Sequence, residues 1–200
     1  MNELFAQRIV PLASIADPAH VQAIGDGLVD GGLPVVEVAL RGSHGAPALA
    51  ALAARGDLLV GAGTVLSVEQ ARGALDAGAA FVVTPGLDAE VVRYVTGAGV
   101  PVVPGVLTPT EVQAAVTLGL DRLKLFPAGV FGGLALLDAY RDVYRSVRFM
   151  PSGGVRQDNL AEHLAHPSVF AASGSWITAA AGDGREAVAE RARAAREAAG

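Results

Sequence analysis

Two hundred residues, 52% hydrophobic and 18% charged with a formal charge of −5, are enough to bury one sizeable core and are unlike a disordered chain, which combines low hydrophobicity with high net charge. The acidic balance argues against a nucleic-acid partner, because phosphate contacts need clustered positive charge. With no cysteine in the chain, disulfides, thiolate catalysis and cysteine-ligated metals are excluded.

Short apolar runs alternate with Ala-rich, periodically polar segments. Met1–Val10 carries Glu3 and Arg8 and no apolar run of signal-peptide length, so a cytoplasmic chain with a short N-terminal helical extension is expected. Strands are expected at Ile9–Ala13, Val35–Leu40, Leu58–Ala62, Phe81–Thr84, Pro101–Pro104, Arg122–Phe126, Arg148–Pro151 and Val169–Ser173. Between them, helical patterns cover Pro18–Asp30, Pro47–Ala54, Val68–Ala77, Ala89–Ala98, Thr110–Leu118, Gly133–Tyr144 and Asn159–Leu164. A last helix, Arg185–Ala199, spaces Glu190, Arg193 and Glu197 for ion pairs. Asp17-Pro18, Ser67 before Glu69 and Thr108-Pro109 before Glu111 read as helix starts, and Gly78 and Gly119 as helix ends. No apolar stretch reaches the ~20 residues of a membrane helix; the nearest, Tyr94–Thr110, is broken by Pro101, Pro104 and Pro109. Eight strand–helix units predict a parallel α/β architecture, a (β/α)8 TIM barrel in a single domain over residues 1–200, with an open doubly wound sheet as the alternative.

Strands buried on both faces should be continuously apolar, so their polar residues mark chemistry. Alternation places Glu37, Ala39 and Arg41 on one face of the second strand, and Lys124 with Arg122 and Phe126 on one face of the sixth. If the other faces pack on helices, Glu37 and Lys124 point inward. A buried structural ion pair is one reading. The residue choice favours another: fourteen of the fifteen basic residues are arginine and Lys124 is the only lysine. Arginine suits a purely structural bridge, whereas a lysine can offer a nucleophilic amine to a carbonyl while a neighbouring carboxylate moves protons. Arg41, before the Gly42-Ser43-His44-Gly45 loop, could hold a substrate carboxylate or be an ordinary solvated arginine.

Gly61-Ala-Gly63-Thr64 lacks the third glycine of a dinucleotide fingerprint, Leu66 standing there, so no nucleotide cofactor is expected. Small residues that let a substrate approach the backbone, with the Thr64 hydroxyl beside them, fit better. Pro151-Ser-Gly-Gly154 and Ser173-Gly-Ser-Trp176 end the last two strands, where such barrels bind phosphate, although ordinary turns read similarly. No metal site is expected: His163 and His166 read as solvated on a surface helix and His44 has no partners. A G-x-S-x-G nucleophile elbow is absent.

Taken in order, Glu37-Val-Ala-Leu-Arg41, Gly61-Ala-Gly-Thr-Val65, Thr84-Pro-Gly86, Pro104-Gly-Val106, Leu123-Lys-Leu-Phe-Pro127, Pro151-Ser-Gly-Gly154 and Gly174-Ser-Trp176 resemble the 2-keto-3-deoxy-6-phosphogluconate (KDPG) aldolases. That family also includes 4-hydroxy-2-oxoglutarate (KHG) aldolases. The resemblance implies a metal-free class I aldolase on a (β/α)8 barrel, needing no cofactor, usually a homotrimer, acting on a small phosphorylated keto acid. By position it implies Lys124 as the Schiff-base lysine and Glu37 as the proton-transferring carboxylate. Arg41 and Thr64 resemble the residues that hold the pyruvate carboxylate, and Phe126 lines the pocket. Gly153, Gly154, Gly174 and Ser175 resemble the phosphate end. Ala39 and Ser152 stand where threonines are usual, and Ser152 touches the pocket, which bears on stereochemical selectivity. Arg41 departs from the related phosphogalactonate aldolases, which typically carry asparagine there.

Overall fold

Parallel strands cannot be joined by tight turns, so each must be followed by a crossover that returns the chain to the same edge. The computed structural model, which describes residues 3–200, does this with helices, except where one short strand, Val102–Val103, runs directly into the next, Gly105–Val106. The first half runs β1 (Ile9–Ala13), α1 (His20–Asp30), β2 (Val35–Ala39), α2 (Gly45–Ala53), β3 (Leu59–Gly63), α3 (Val68–Asp76), β4 (Phe81–Val83) and α4 (Ala89–Gly97). The second half runs β5 (Val102–Val103), β6 (Gly105–Val106), α5 (Pro109–Thr117), β7 (Arg122–Leu125), α6 (Gly133–Arg141), β8 (Arg148–Pro151), α7 (Leu160–Ala165), β9 (Ala172–Gly174) and α8 (Arg185–Ala199). Short 3-10 turns lie at Glu3–Ala6, Ala128–Phe131 and Thr178–Asp183; the first is the expected N-terminal extension.

The strands form two parallel sheets that curl around a shared interior. One has the order β5-β4-β3-β2-β1-β9 and the other β6-β7-β8. Isolated parallel bridges, Phe149 to Val169 and Ser152 to Ser173, run between β8 and the β9 segment. The single strand expected at Pro101–Pro104 is two pieces, because Pro104 has no N–H for a ladder. Residues before it pair with β4 and residues after it with β7. The Pro104 carbonyl still accepts from Lys124 N at 2.9 Å.

Local chemistry explains most boundaries. Ser67 Oγ accepts from Gln70 N, and Thr108 and Glu111 form a reciprocal capping box at α5. Asp17 does not open α1 directly: its carboxylate takes Ala19 N at 2.9 Å, a turn that delays the helix to His20. On α8, Arg193 reaches two turns back to Glu186 rather than to Glu190 or Glu197. The outer faces of the strands are apolar and buried, as Val36, Val38, Val60, Val82, Leu123 and Leu125 illustrate.

The N-terminal ends of the strands are closed. Leu4 is fully buried, and Phe5 meets Phe170 edge-on at 6.0 Å. The Arg122 guanidinium lies 5.7 Å from the Phe5 ring centroid and 5.8 Å from that of Phe170. Arg8 donates to the carbonyls of Leu164 (2.6 Å), Phe170 (3.1 Å) and Val169 (3.2 Å), tying the end of α7 to this plug.

His163 corrects the expectation of a solvated histidine. It is buried under α7, 6% exposed, and its Nδ1 has no partner among the described residues. Burial pushes its imidazole below the ordinary 6.5, an effect that Glu162 opposes and His166 reinforces. The unfolded chain therefore binds this proton more readily than the fold does. Its contribution to stability is complete above about pH 6.5 and declines as pH falls below it. Urea midpoints measured between pH 7.5 and 5 should drop more for the native chain than for His163→Gln; parallel curves would show that this imidazole is not the source.

Candidate active site

In a parallel pair, side chains at register positions share a face. Glu37 on β2 stands level with Leu12 on β1 and Gly61 on β3. Lys124 on β7 stands level with Gly105 on β6 and Met150 on β8. Both polar residues point inward, as their alternation predicts, and they meet across the interior. Lys124 Nζ donates to Glu37 Oε1 at 3.2 Å. Glu37 is 0% exposed and Lys124 5%. Glu37 Oε2 is enclosed and has no partner among the described residues. Phe126, half-buried, covers one side, its ring centroid 5.3 Å from Lys124 Nζ.

Arg41 comes to the same side by a route that strand alternation misses. β2 ends at Ala39, and Arg41 N turns back to the Ala39 carbonyl at 2.8 Å. Arg41 is exposed, and its Nε donates to Thr64 Oγ1 at 3.2 Å. Thr64, just beyond β3, has φ 58°, the one left-handed non-glycine residue among those described. A β-branched residue there is strained, and the strain sits where a hydroxyl is held against a guanidinium.

The loop after β8 carries Ser152, Gly153 and Gly154. The two glycines have φ 77° and 106°, a left-handed path that favours glycine and turns the chain sharply. Gly129 N donates to the Gly153 carbonyl at 2.7 Å, and Asn159 Nδ2 donates to the Gly154 carbonyl at 3.0 Å. Ser152 is buried and bridges to Ser173. Gly174 lies against the Trp176 ring, whose indole N–H donates to Gln157 at 3.1 Å, while Ser175 is exposed.

The expected site residues thus fall into a buried pair, an Arg41–Thr64 edge and a glycine-rich edge on β8 and β9. Sequence reasoning missed Gly129 and Asn159, which only the fold brings to the glycine loop. Ser173, read from sequence only as the start of a glycine-rich strand end, has its Oγ enclosed without a partner among those described. A groove of about 520 Å3 beside Trp176, lined by Arg156, Gln157, Arg191 and Ala194, contains neither Lys124 nor Glu37. His166, half-buried, contacts Asp138 at 3.3 Å.

An enclosed ion pair is stable only as a pair. Removing one member leaves the other charge buried, at about 3–5 kcal/mol. Lys124→Met should lower the unfolding free energy by that order, and Lys124→Met with Glu37→Leu should recover most of it. Denaturant titration measures both; a single variant as stable as the native chain would refute the enclosure.

Comparison with known proteins joins this geometry to a family. Residues 1–190 match the model for KDPG and KHG aldolase. The 2-dehydro-3-deoxy-phosphogluconate aldolase of Treponema pallidum is 42% identical over 86% of this chain and 83% of its own length. The KDPG aldolase of Zymomonas mobilis, solved with 3-phosphoglycerate, superposes with a TM-score of 0.88 at 33% identity, over 96% of this chain and 92% of that one. That of Legionella pneumophila, holding pyruvate as a covalent carbinolamine, superposes at 0.92 with 31% identity and 97% coverage of both chains. The chain, built around its inward-facing lysine and glutamate, belongs to the KDPG and KHG aldolase family.

Proposed function

We propose that this chain cleaves 2-dehydro-3-deoxy-6-phosphogluconate to pyruvate and glyceraldehyde 3-phosphate by a class I, imine-forming mechanism. The observation that carries the reading is the enclosed contact of its only lysine with Glu37. The Zymomonas relative solved with 3-phosphoglycerate and the Legionella relative holding covalent pyruvate support a phosphorylated substrate and a covalent route.

Lys124 Nζ passes its extra proton to Glu37 and, as the free amine, adds to the C2 carbonyl, a proton moving from its nitrogen to the oxygen to give a carbinolamine. Glu37 delivers the proton that lets this hydroxyl leave as water, producing a protonated imine. The carboxylate then removes the C4 hydroxyl proton. The O–H pair becomes the aldehyde carbonyl, the C3–C4 pair flows into the iminium, and an enamine of pyruvate remains. Glu37, now protonated, returns its proton to C3, and water hydrolyses the protonated imine to release pyruvate and leave the ammonium of Lys124 beside the Glu37 carboxylate. Each proton transfer from a positioned group is typically worth ~10²–10⁴ in rate.

In this reading Arg41 and Thr64 hold the C1 carboxylate, and Phe126 and Ser152 wall the reacting carbons. Gly153, Gly154, Gly174 and Ser175 receive the phosphate through backbone N–H groups and a hydroxyl. We also read the two sheets as one closed (β/α)8 barrel in a single domain. The register supports closure. Walking round the ring from Glu37, the inward-facing positions climb two residues at β4, two between β5 and β6, two at β8 and two at β1 before meeting β2 again. That displacement of eight is the shear of this barrel class. Exposed Val130 and Phe131, 74% and 56% accessible, support a subunit contact in a homotrimer.

Borohydride added with pyruvate should inactivate the enzyme and attach one reduced pyruvate to a peptide containing Lys124, read by mass spectrometry. Lys124→Arg should lose both adduct and turnover, and full activity in that variant would end the mechanism. Because binding energy from the phosphate should appear in kcat/KM, KDPG should exceed its unphosphorylated analogue and KHG by about 10²-fold or more. Equal values would favour a KHG-type substrate.

A further inference from the structure

Glycine inside a strand costs stability, so a strand glycine needs a reason. Two usual reasons fail at Gly63, the last residue of β3. Its φ lies outside the left-handed region, and its carbonyl takes an ordinary ladder bond from Leu40 N at 2.8 Å. The space is instead occupied by Glu37. A Cβ on Gly63 would lie 2.3 Å from Glu37 Oε1, 2.6 Å from Cγ and 2.8 Å from Cδ. At Gly61, two residues earlier, the corresponding space belongs to the Phe81 ring, 2.2 Å from the position of a Cβ. The small residues of this motif thus make room for side chains of the inner wall.

We propose that Gly63 is a positioning residue for the aldol reaction: its missing Cβ leaves the slot in which the Glu37 carboxylate lies across β3, with Oε1 directed at Lys124. The proposal rests on Lys124 and Glu37 being the reacting pair. A methyl at Gly63 displaces the carboxylate and not the strand, because β3 is bonded to β2 along its length and to β4 beside it. Among the described residues, the carboxylate's one hydrogen-bond partner is Lys124. A displaced carboxylate no longer meets the protons it must move, while the groups expected to hold the substrate's two ends stay in place.

The test is a cycle in the full-length chain: Gly63→Ala, Glu37→Asp and both together, assayed for kcat, KM, rate of borohydride-trapped adduct and Tm. Gly63→Ala should lower kcat by about 10²-fold, the scale of one positioned proton transfer. KM should stay within about threefold, as for an interaction made in the transition state. Aspartate is one methylene shorter and withdraws from the new methyl, so the double variant should exceed Gly63→Ala by about tenfold even though Glu37→Asp alone is impaired. A glycine needed only for strand stability predicts additive losses in kcat; additivity, or native kcat in Gly63→Ala, overturns the proposal. If Gly63→Ala is too unstable to assay, Gly63→Ala in a Glu37→Ala background decides it. Recovery of Tm when the carboxylate is gone supports the slot, and equal instability refutes it. Failure of the underlying reading looks different: native kcat in Glu37→Gln, or no pyruvate adduct in the native enzyme.

Discussion

A cation and an anion enclosed by strands have to find each other, and most of what surrounds Lys124 and Glu37 follows from that requirement. Withdrawing either charge from water costs several kcal/mol, offset only by close approach and good hydrogen bonding. The contact at 3.2 Å supplies the approach. β2 and β7 supply the direction, since an inward side chain on a parallel strand is fixed by pleat and register. Of the neighbouring glycines, Gly63 yields to the carboxylate, while Gly61 makes room for the Phe81 ring and Gly105 for the Pro85 carbonyl; Phe126 lays an aromatic face toward the amine.

Around this centre, irregular backbone marks the C-terminal ends of several strands. Thr64 has φ 58°, Gly153 and Gly154 follow left-handed paths, and the chain turns sharply at Arg41. Regular ladders lie below, while the loops above are held by polar contacts such as Asn159 to Gly154, Gly129 to Gly153 and Arg41 to Thr64. This division lets the rim depart from ideal geometry without loosening the strands that aim the pair.

Much of this was legible in the residues. A charged residue amid Val-Val-Glu-Val-Ala cannot face helices cheaply, so alternation alone turns Glu37 inward; the same logic aims Lys124. The alternation of parallel strands and helices is legible because apolar runs and caps are local signals, as the capping box of Thr108 and Glu111 illustrates. Pro104 was visible but its effect was not: whether proline ends a strand or divides it depends on which neighbours flank it. The environment of His163 was hidden because a histidine on an amphipathic segment looks the same whether its face meets water or another layer. Gly63 escaped for a related reason. A glycine's backbone demands can be guessed from its neighbours, but a vacancy filled by a side chain 26 positions away in sequence, Glu37, exists only in three dimensions.

The plug of Leu4, Phe5, Arg122 and Phe170 makes the interior a cul-de-sac. In the proposed closed barrel, with the strands' N-terminal ends sealed, the C-terminal ends serve as the doorway, and traffic through it must be sequential. In the proposed reaction the aldehyde half sits toward the rim and the pyruvate half is anchored to the amine at depth. The outer fragment therefore has to clear the doorway before the water that frees the inner one can enter behind it.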